Sequence, residues 1–154
     1  MAKLFGTDGP RGIAVTDLTC ELAMQTGRAA ALVLAKKEGG KTKILVGKDT
    51  RLSSDALEAA VCAGICSVGA DAELLGTVPT PGVTYLIGAH GADGGIMISG
   101  SHNSAEYNGL KLFSAKGCKL MEDAEEEIER LVLTVPGEIK LKSHEDVGRI
   151  IHGE

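Results

Sequence analysis

The sequence predicts an α/β layer fold with about four strands, because segments of two different periods alternate along it. Short runs of consecutive aliphatic residues, such as Ile44-Leu45-Val46 and Ile96-Met97-Ile98, read as buried strands. The longer stretches between them repeat small or apolar residues at i, i+3, i+4 and i+7, the spacing of one helix face. Glycine is the third observation. It makes up 21 of 154 residues, about twice the usual share of roughly 7%, without collagen periodicity, which suits a fold that turns tightly between layers.

The first helix is expected over residues 19–37, where Cys20, Ala23, Met24, Gly27, Ala30, Ala31 and Leu34 share a narrow face. Such a stripe of small residues should pack closely on a sheet, and Gly39-Gly40 should end the helix. Residues 44–46 make the first strand and run into Gly47-Lys48-Asp49-Thr50-Arg51, so charge collects at its C-terminal end. Asp55 with Glu58 three residues on reads as a box-like N-terminus, and Leu57, Ala60, Val61, Gly64, Ile65 and Val68 continue that second helix. Its other face, Ala59, Cys62, Ala63 and Cys66, is also apolar and asks for cover by the sheet, another part of the protein or a second copy. Residues 72–75 are the second strand. Pro79-Thr80-Pro81 then breaks the chain before a short helix to Ala89. Residues 94–99 are the third strand and residues 110–113 the fourth. A last amphipathic helix, over about residues 121–133, turns Met121, Ala124, Ile128, Leu131 and Val132 inward. From residue 136 the pattern fades into weak alternation.

Composition excludes several functions. Lys plus Arg is 16 against 21 Asp plus Glu, a net charge of −5, so the broad basic face of a general nucleic-acid binder is missing. Six of those acids, Glu122, Asp123, Glu125, Glu126, Glu127 and Glu129, fall in one helix, and the remainder is close to neutral, which leaves room for an anionic small molecule. Aromatic residues are 3% with no Trp. Stacking platforms for bases or sugars are therefore absent, and a sugar must be held by hydrogen bonds and charge. Cys20, Cys62, Cys66 and Cys118 show no CxxC and no zinc spacing and are expected to be reduced, mostly buried small hydrophobes. The longest apolar stretch, residues 29–35, is far below the roughly 20 residues that span a bilayer. A cytoplasmic protein is expected.

The chemistry concentrates in residues 95–111. An apolar strand delivers Ser101 into a sharp loop, with Gly100 before it and His102 and Asn103 after it. Open α/β folds place ligands at that edge of the sheet, glycine lets the backbone approach a tetrahedral group, and successive N–H groups can cradle phosphate oxygens. Asn108, Gly109 and Lys111 return on the next strand, where Lys111 can supply charge or accept a proton. A serine-hydrolase elbow does not fit, because it needs glycine two residues either side of the serine and those positions are Ser99 and Asn103. Two more segments carry cations in turns. Phe5-Gly-Thr-Asp-Gly-Pro-Arg-Gly12 holds Arg11, suited to bidentate phosphate recognition, and Val46-Gly-Lys-Asp-Thr-Arg-Leu-Ser53 holds Lys48 and Arg51. Arg11, Lys48, Arg51, His102 and Lys111 are expected to converge on one anion.

FGTDGPRG, VGKDTRLSS, PTPGVTYL and ISGSHNSAEYNGLKLF resemble, in order and spacing, the first domain of the α-D-phosphohexomutases, and among these most resemble the bacterial phosphoglucosamine mutase branch. The resemblance spans roughly residues 3–135. It implies a three-layer α/β/α domain with a mixed, mostly parallel sheet. It further implies an isomerase that interconverts glucosamine 6-phosphate and glucosamine 1-phosphate through a sugar bisphosphate. On that resemblance Ser101 carries the phosphoryl group, Lys111 and Arg11 are catalytic, and His102, Asn103, Lys48 and Arg51 bind the loop or the phosphate. One Mg²⁺ is expected, reached through the Ser101 phosphate and completed by Asp ligands of a later domain, since no DxDxD occurs here. Pro10, Ser54, Gly100 and Ser104 depart from the residues usual in the family at those positions.

The expected division is residues 1–136 as the phosphoserine domain and residues 137–154 as a run-in to a second domain. The expected partners are the hexosamine phosphate, its bisphosphate, the enzyme's other domains and a homodimer copy, with no nucleic acid or membrane. The chain alone is expected to be inactive. A phosphomannomutase or phosphoglucomutase domain, or a non-catalytic sugar-phosphate-binding or interaction module, are the alternatives.

Overall fold

A computed structural model describes residues 10–35, 40–101, 103–134, 137 and 139–153. In chain order its elements are β1 (Arg11–Ile13), α1 (Cys20–Val33), β2 (Lys43–Lys48), α2 (Leu52–Ser67), β3 (Asp71–Thr77), α3 (Thr80–Ala89), β4 (Gly94–Ile98), β5 (Tyr107–Ser114), α4 (Glu122–Glu129) and β6 (Ile150–His152). A single π-helical turn, Arg130–Thr134, continues α4, so helical backbone covers most of the stretch expected.

Among the described residues the sheet has six strands in the order β1-β5-β4-β2-β3-β6, rather than about four. β4, β2, β3 and β6 run parallel, while β5 is antiparallel to both β4 and β1. The two strands not foreseen, β1 and β6, are three residues long and lie at the edges. All three residues of β6 are exposed, so it has no inside–outside alternation for a periodicity argument to find.

Alternation on the central strands builds the three layers. Ile44, Val46, Ile96, Ile98, Leu110 and Leu112 join the apolar faces of α1, α2 and α4 in one cluster. Leu45 and Met97, the residues between, pack with Val83 and Ile87 of α3 on the opposite side. α1 begins where expected: the Thr19 hydroxyl accepts the Leu22 N–H at 3.0 Å, one of the orphan donors of the first turn. It ends at Val33, before the Gly39-Gly40 pair.

α2 corrects one expectation. It starts at Leu52, with Arg51 at the cap position and no side-chain cap, and Asp55 and Glu58 both bond Lys48 instead of the helix N-terminus. Its second face is covered largely by this chain. Cys62 and Cys66 are buried, and the returning tail bonds the helix end, Lys142 N–H to Ser67 O at 2.8 Å and Gly148 N–H to Cys66 O at 2.9 Å. Only the small Ala59 and Ala63 of that face are exposed.

Parallel β2 and β4 are neighbours, so the loops that follow them leave the same edge of the sheet. β5 begins there too, because it runs back against β4 with Ile98 opposite Leu110 and Met97 opposite Lys111. β1 adds Arg11 opposite Gly109.

Candidate functional site

Three of these segments, β1, the loop after β4 and the start of β5, form a cleft of about 180 Å³ lined by Pro10, Arg11, Ser99, Gly100, Ser101, Asn103, Asn108, Gly109, Leu110 and Lys111. Ser101 is exposed at its mouth. Its φ is +56°, a left-handed conformation that costs an L-residue about 1–2 kcal/mol and persists only where neighbours hold it. The Ser101 N–H donates to Ser99 Oγ at 3.1 Å, and both Asn103 N–H and Asn103 Nδ2 donate to Gly100 O at 3.0 Å. The loop is thus folded on itself, with the serine at its apex.

The cations do not all converge. Arg11 and Lys111 line the cleft with Ser101, and among the described residues neither forms an ion pair with a carboxylate. Lys48 points elsewhere: its Nζ lies 2.7 Å from Asp55 Oδ1 and 3.2 Å from Glu58 Oε1, beside a separate groove lined by Leu74, Leu75, Gly76 and His152. The hydrogen bond to Asp55 raises the Lys48 pKa, burial opposes it, and Glu58 adds to the rise. Arg51 reaches the backbone of the serine loop: Nη1 pairs with Asp49, and Nη2 donates to Ser101 O and Asn103 O. His102 and the turn residues up to Gly9 lie outside the described residues.

The residue that sequence reasoning passed over is Asp49. Its Oδ1 accepts the Arg51 N–H at 3.0 Å and the Ser54 hydroxyl at 2.8 Å, and its Oδ2 accepts the Gly100 N–H at 3.1 Å and the Arg51 guanidinium. Burial pushes the Asp49 carboxyl up, but these donors together outweigh it and hold the pKa below the ordinary 3.8. Buried Asn108 closes the set, donating Nδ2 to Ser53 Oγ and Ser54 Oγ at 3.0 Å. A carboxylate two residues before an N–H at a strand end is the pattern of an Asx-turn; it was legible as a turn but not as an anchor for a loop some fifty residues away.

Among the described residues no group of three or more His, Cys, Asp or Glu is arranged to hold a metal ion. Asp49, the carboxylate next to the loop, is already engaged by four donors. Among the described residues no carboxylate lines the cleft, so the group there best suited to meet a cation is the exposed Ser101 oxygen or a phosphate carried on it.

A family model described as phosphoglucomutase/phosphomannomutase, alpha/beta/alpha domain I, matches residues 2–136. The chain belongs to this family. It is 53% identical over 151 residues to the phosphoglucosamine mutase of Caldicellulosiruptor bescii, which covers 97% of this chain and 33% of that protein. It is 61% identical over 132 residues to the phosphoglucosamine mutase of Clostridium perfringens strain SM101, covering 86% and 29%. The chain thus spans about a third of the length of these phosphohexomutase relatives. A solved structure from Thermus thermophilus, described as a phosphomannomutase, superposes with a TM-score of 0.79 at 29% identity over all of this chain and 34% of that one. A phosphoglucomutase/phosphomannomutase family protein from Burkholderia thailandensis gives 0.76 at 27%, over 94% and 31%. The α/β fold and the first-domain assignment of the phosphohexomutases are therefore shared.

Proposed function

We propose that the chain is the phosphoserine-bearing domain of a cytoplasmic phosphoglucosamine mutase, with residues 1–136 as that domain and the following residues leading toward the next. The observation that carries this is Ser101, exposed in a strained, braced loop in one cleft with Arg11 and Lys111, two cations that form no ion pair among the described residues. The names of the relatives at 53% and 61% identity supply the sugar.

Phosphoryl transfer asks for positioning and charge neutralisation more than for covalent chemistry. In the proposed reaction the Ser101 phosphate passes to a hydroxyl of a hexosamine phosphate, the P–O bond to serine breaks, and the sugar oxygen gains the phosphorus as it loses its proton. In this reading Lys111 takes that proton and Arg11 binds phosphate oxygens in a fork, which the shared cleft with Ser101 supports. The bisphosphate reorients and returns the phosphoryl group from its other end to Ser101. A Mg²⁺ bound at the serine phosphate would offset a charge near −1.5 to −2; Ser101 would hold it through that phosphate, and any carboxylate ligands would have to come from outside the described residues. The same division explains why the isolated chain should be inactive, since it brings the nucleophile without the complete charge set.

The test uses the full-length enzyme and follows intact mass and turnover with glucosamine 6-phosphate and its bisphosphate. One phosphate on the native enzyme, none on Ser101→Ala, and loss of turnover in that variant are expected. Arg11→Gln and Lys111→Gln should each lower kcat/KM by about 10²-fold or more, as expected for lost charge stabilisation. Sustained turnover by Ser101→Ala would overturn the reading.

A further inference from the structure

The loop of Ser101 is tied at three points to one short segment that follows β2. At its entry the Gly100 N–H donates to Asp49. In its middle the Ser101 and Asn103 carbonyls both accept from Arg51 Nη2. At its exit Asn108 Nδ2 donates to Ser53 and Ser54, and Ser54 in turn donates to Asp49. Arg51 lies so flat on Gly100 that a Cβ there would fall 2.4 Å from its Cζ, and its side chain is only 15% exposed. Its charge is matched by Asp49, and the donors of its Nη2 are directed at backbone carbonyls.

From this we infer that Asp49 and Arg51 are positioning residues for Ser101: the pair fixes the left-handed backbone that presents the hydroxyl, and Arg51 acts through the loop carbonyls, not on the substrate's phosphate. The inference rests on the proposed function above. Its physical basis is the guanidinium fork, which reaches a carboxylate and two carbonyls at once from a planar group; an ammonium keeps the charge but not the geometry.

The experiment compares Arg51→Lys, Arg51→Gln and Asp49→Asn in the full-length enzyme, each assayed well below its own melting midpoint, with Ser101→Ala as the control. All three should lower kcat by about 10²-fold, the usual cost of a misplaced reacting group, with KM for the sugar phosphate changed by less than about threefold, and Arg51→Lys should do no better than Arg51→Gln. Amide exchange at Ser101 and Asn103 should quicken in the variants. A rise in KM with kcat kept, or recovery by lysine, would overturn the inference in favour of direct phosphate binding. Native kcat with only a lowered melting midpoint would reduce the pair to a structural one. If Arg51→Gln does not fold, the isosteric Asp49→Asn carries the same comparison. Turnover retained by Ser101→Ala would instead sink the functional reading, and the positioning role with it.

Discussion

Gly27 of α1 and Gly64 of α2 face each other's helix backbone: a Cβ on Gly64 would lie 2.1 Å from the Met24 carbonyl oxygen, and one on Gly27 would lie 2.5 Å from that of Val61. The small-residue stripe on α1 is therefore used largely against α2, where side-chain-free contact lets two backbones touch while both helices still cover the sheet. Gly64→Ala must push the helices apart and should cost about 1–3 kcal/mol as overpacking does. Denaturant titration of the variant checks it, and unchanged stability would mean the helices separate freely.

Lys48 should matter for stability through Glu58 more than through Asp55. The Lys48 and Glu58 side chains are 19% and 14% exposed and the Asp55 side chain 76%, so solvent screens the second pair far more. Asp55→Asn should stay within about 0.5 kcal/mol, in the range of exposed pairs, whereas Lys48→Met, which strands a mostly buried carboxylate, should cost about 1–3 kcal/mol. Equal losses would contradict the assignment.

Asp49 gives a pH dependence of known sign. Its folded pKa is held below 3.8, so the charged form is favoured by folding. The stability it contributes is fully present above 3.8 and is lost as pH falls through the lower folded value. Stability measured from pH 6 down to about pH 2 should fall less steeply for Asp49→Asn than for the native chain at the acid end; parallel curves would show that the carboxylate contributes nothing there.

The thiols should separate by accessibility. Burial, with smaller contributions from Glu58 and Cys66, pushes Cys62 up to about 12, and burial raises Cys66 as well, while Cys118 is exposed. Because only the thiolate is nucleophilic, alkylation of the native chain at pH 8 should label Cys118 well ahead of Cys62 and Cys66, with those two labelled only on unfolding. Mass mapping reads this directly, and early labelling of Cys62 would show that α2 opens.

Local signals made much of this legible. Thr19 capping α1, the Pro79-Thr80-Pro81 start of α3 and the apolar run of β4 all depend on residues a few positions apart, and each stands where expected. β1 and β6 had no such signal, since a three-residue edge strand is defined by the partner it pairs with. Asp55 and Glu58 had the spacing of a cap but were taken by Lys48, which the sequence places on a different element. At the site, Ser101 in its loop, Arg11 in its turn and Lys111 on the next strand were legible from turn chemistry and from the family motifs. The roles of Asp49 and Arg51 did not, because their partners Gly100, Ser101 and Asn103 are about fifty positions away and nothing in local spacing reports a contact of that range.

β1 and β6 occupy opposite margins of the sheet, with four strands between them. At a strand spacing of about 4.8 Å, five spacings put the two margins, with Arg11 on one and His152 on the other, roughly 24 Å apart across the sheet. A circular permutant that joined these two points would thus need a bridge of at least about seven extended residues, more if it is to pass around α3 without crossing the cleft. The exposed turn at Gly91, with φ +63° and open space beside it, is the natural place to cut, because it lies on the surface and no layer of the core would be opened there.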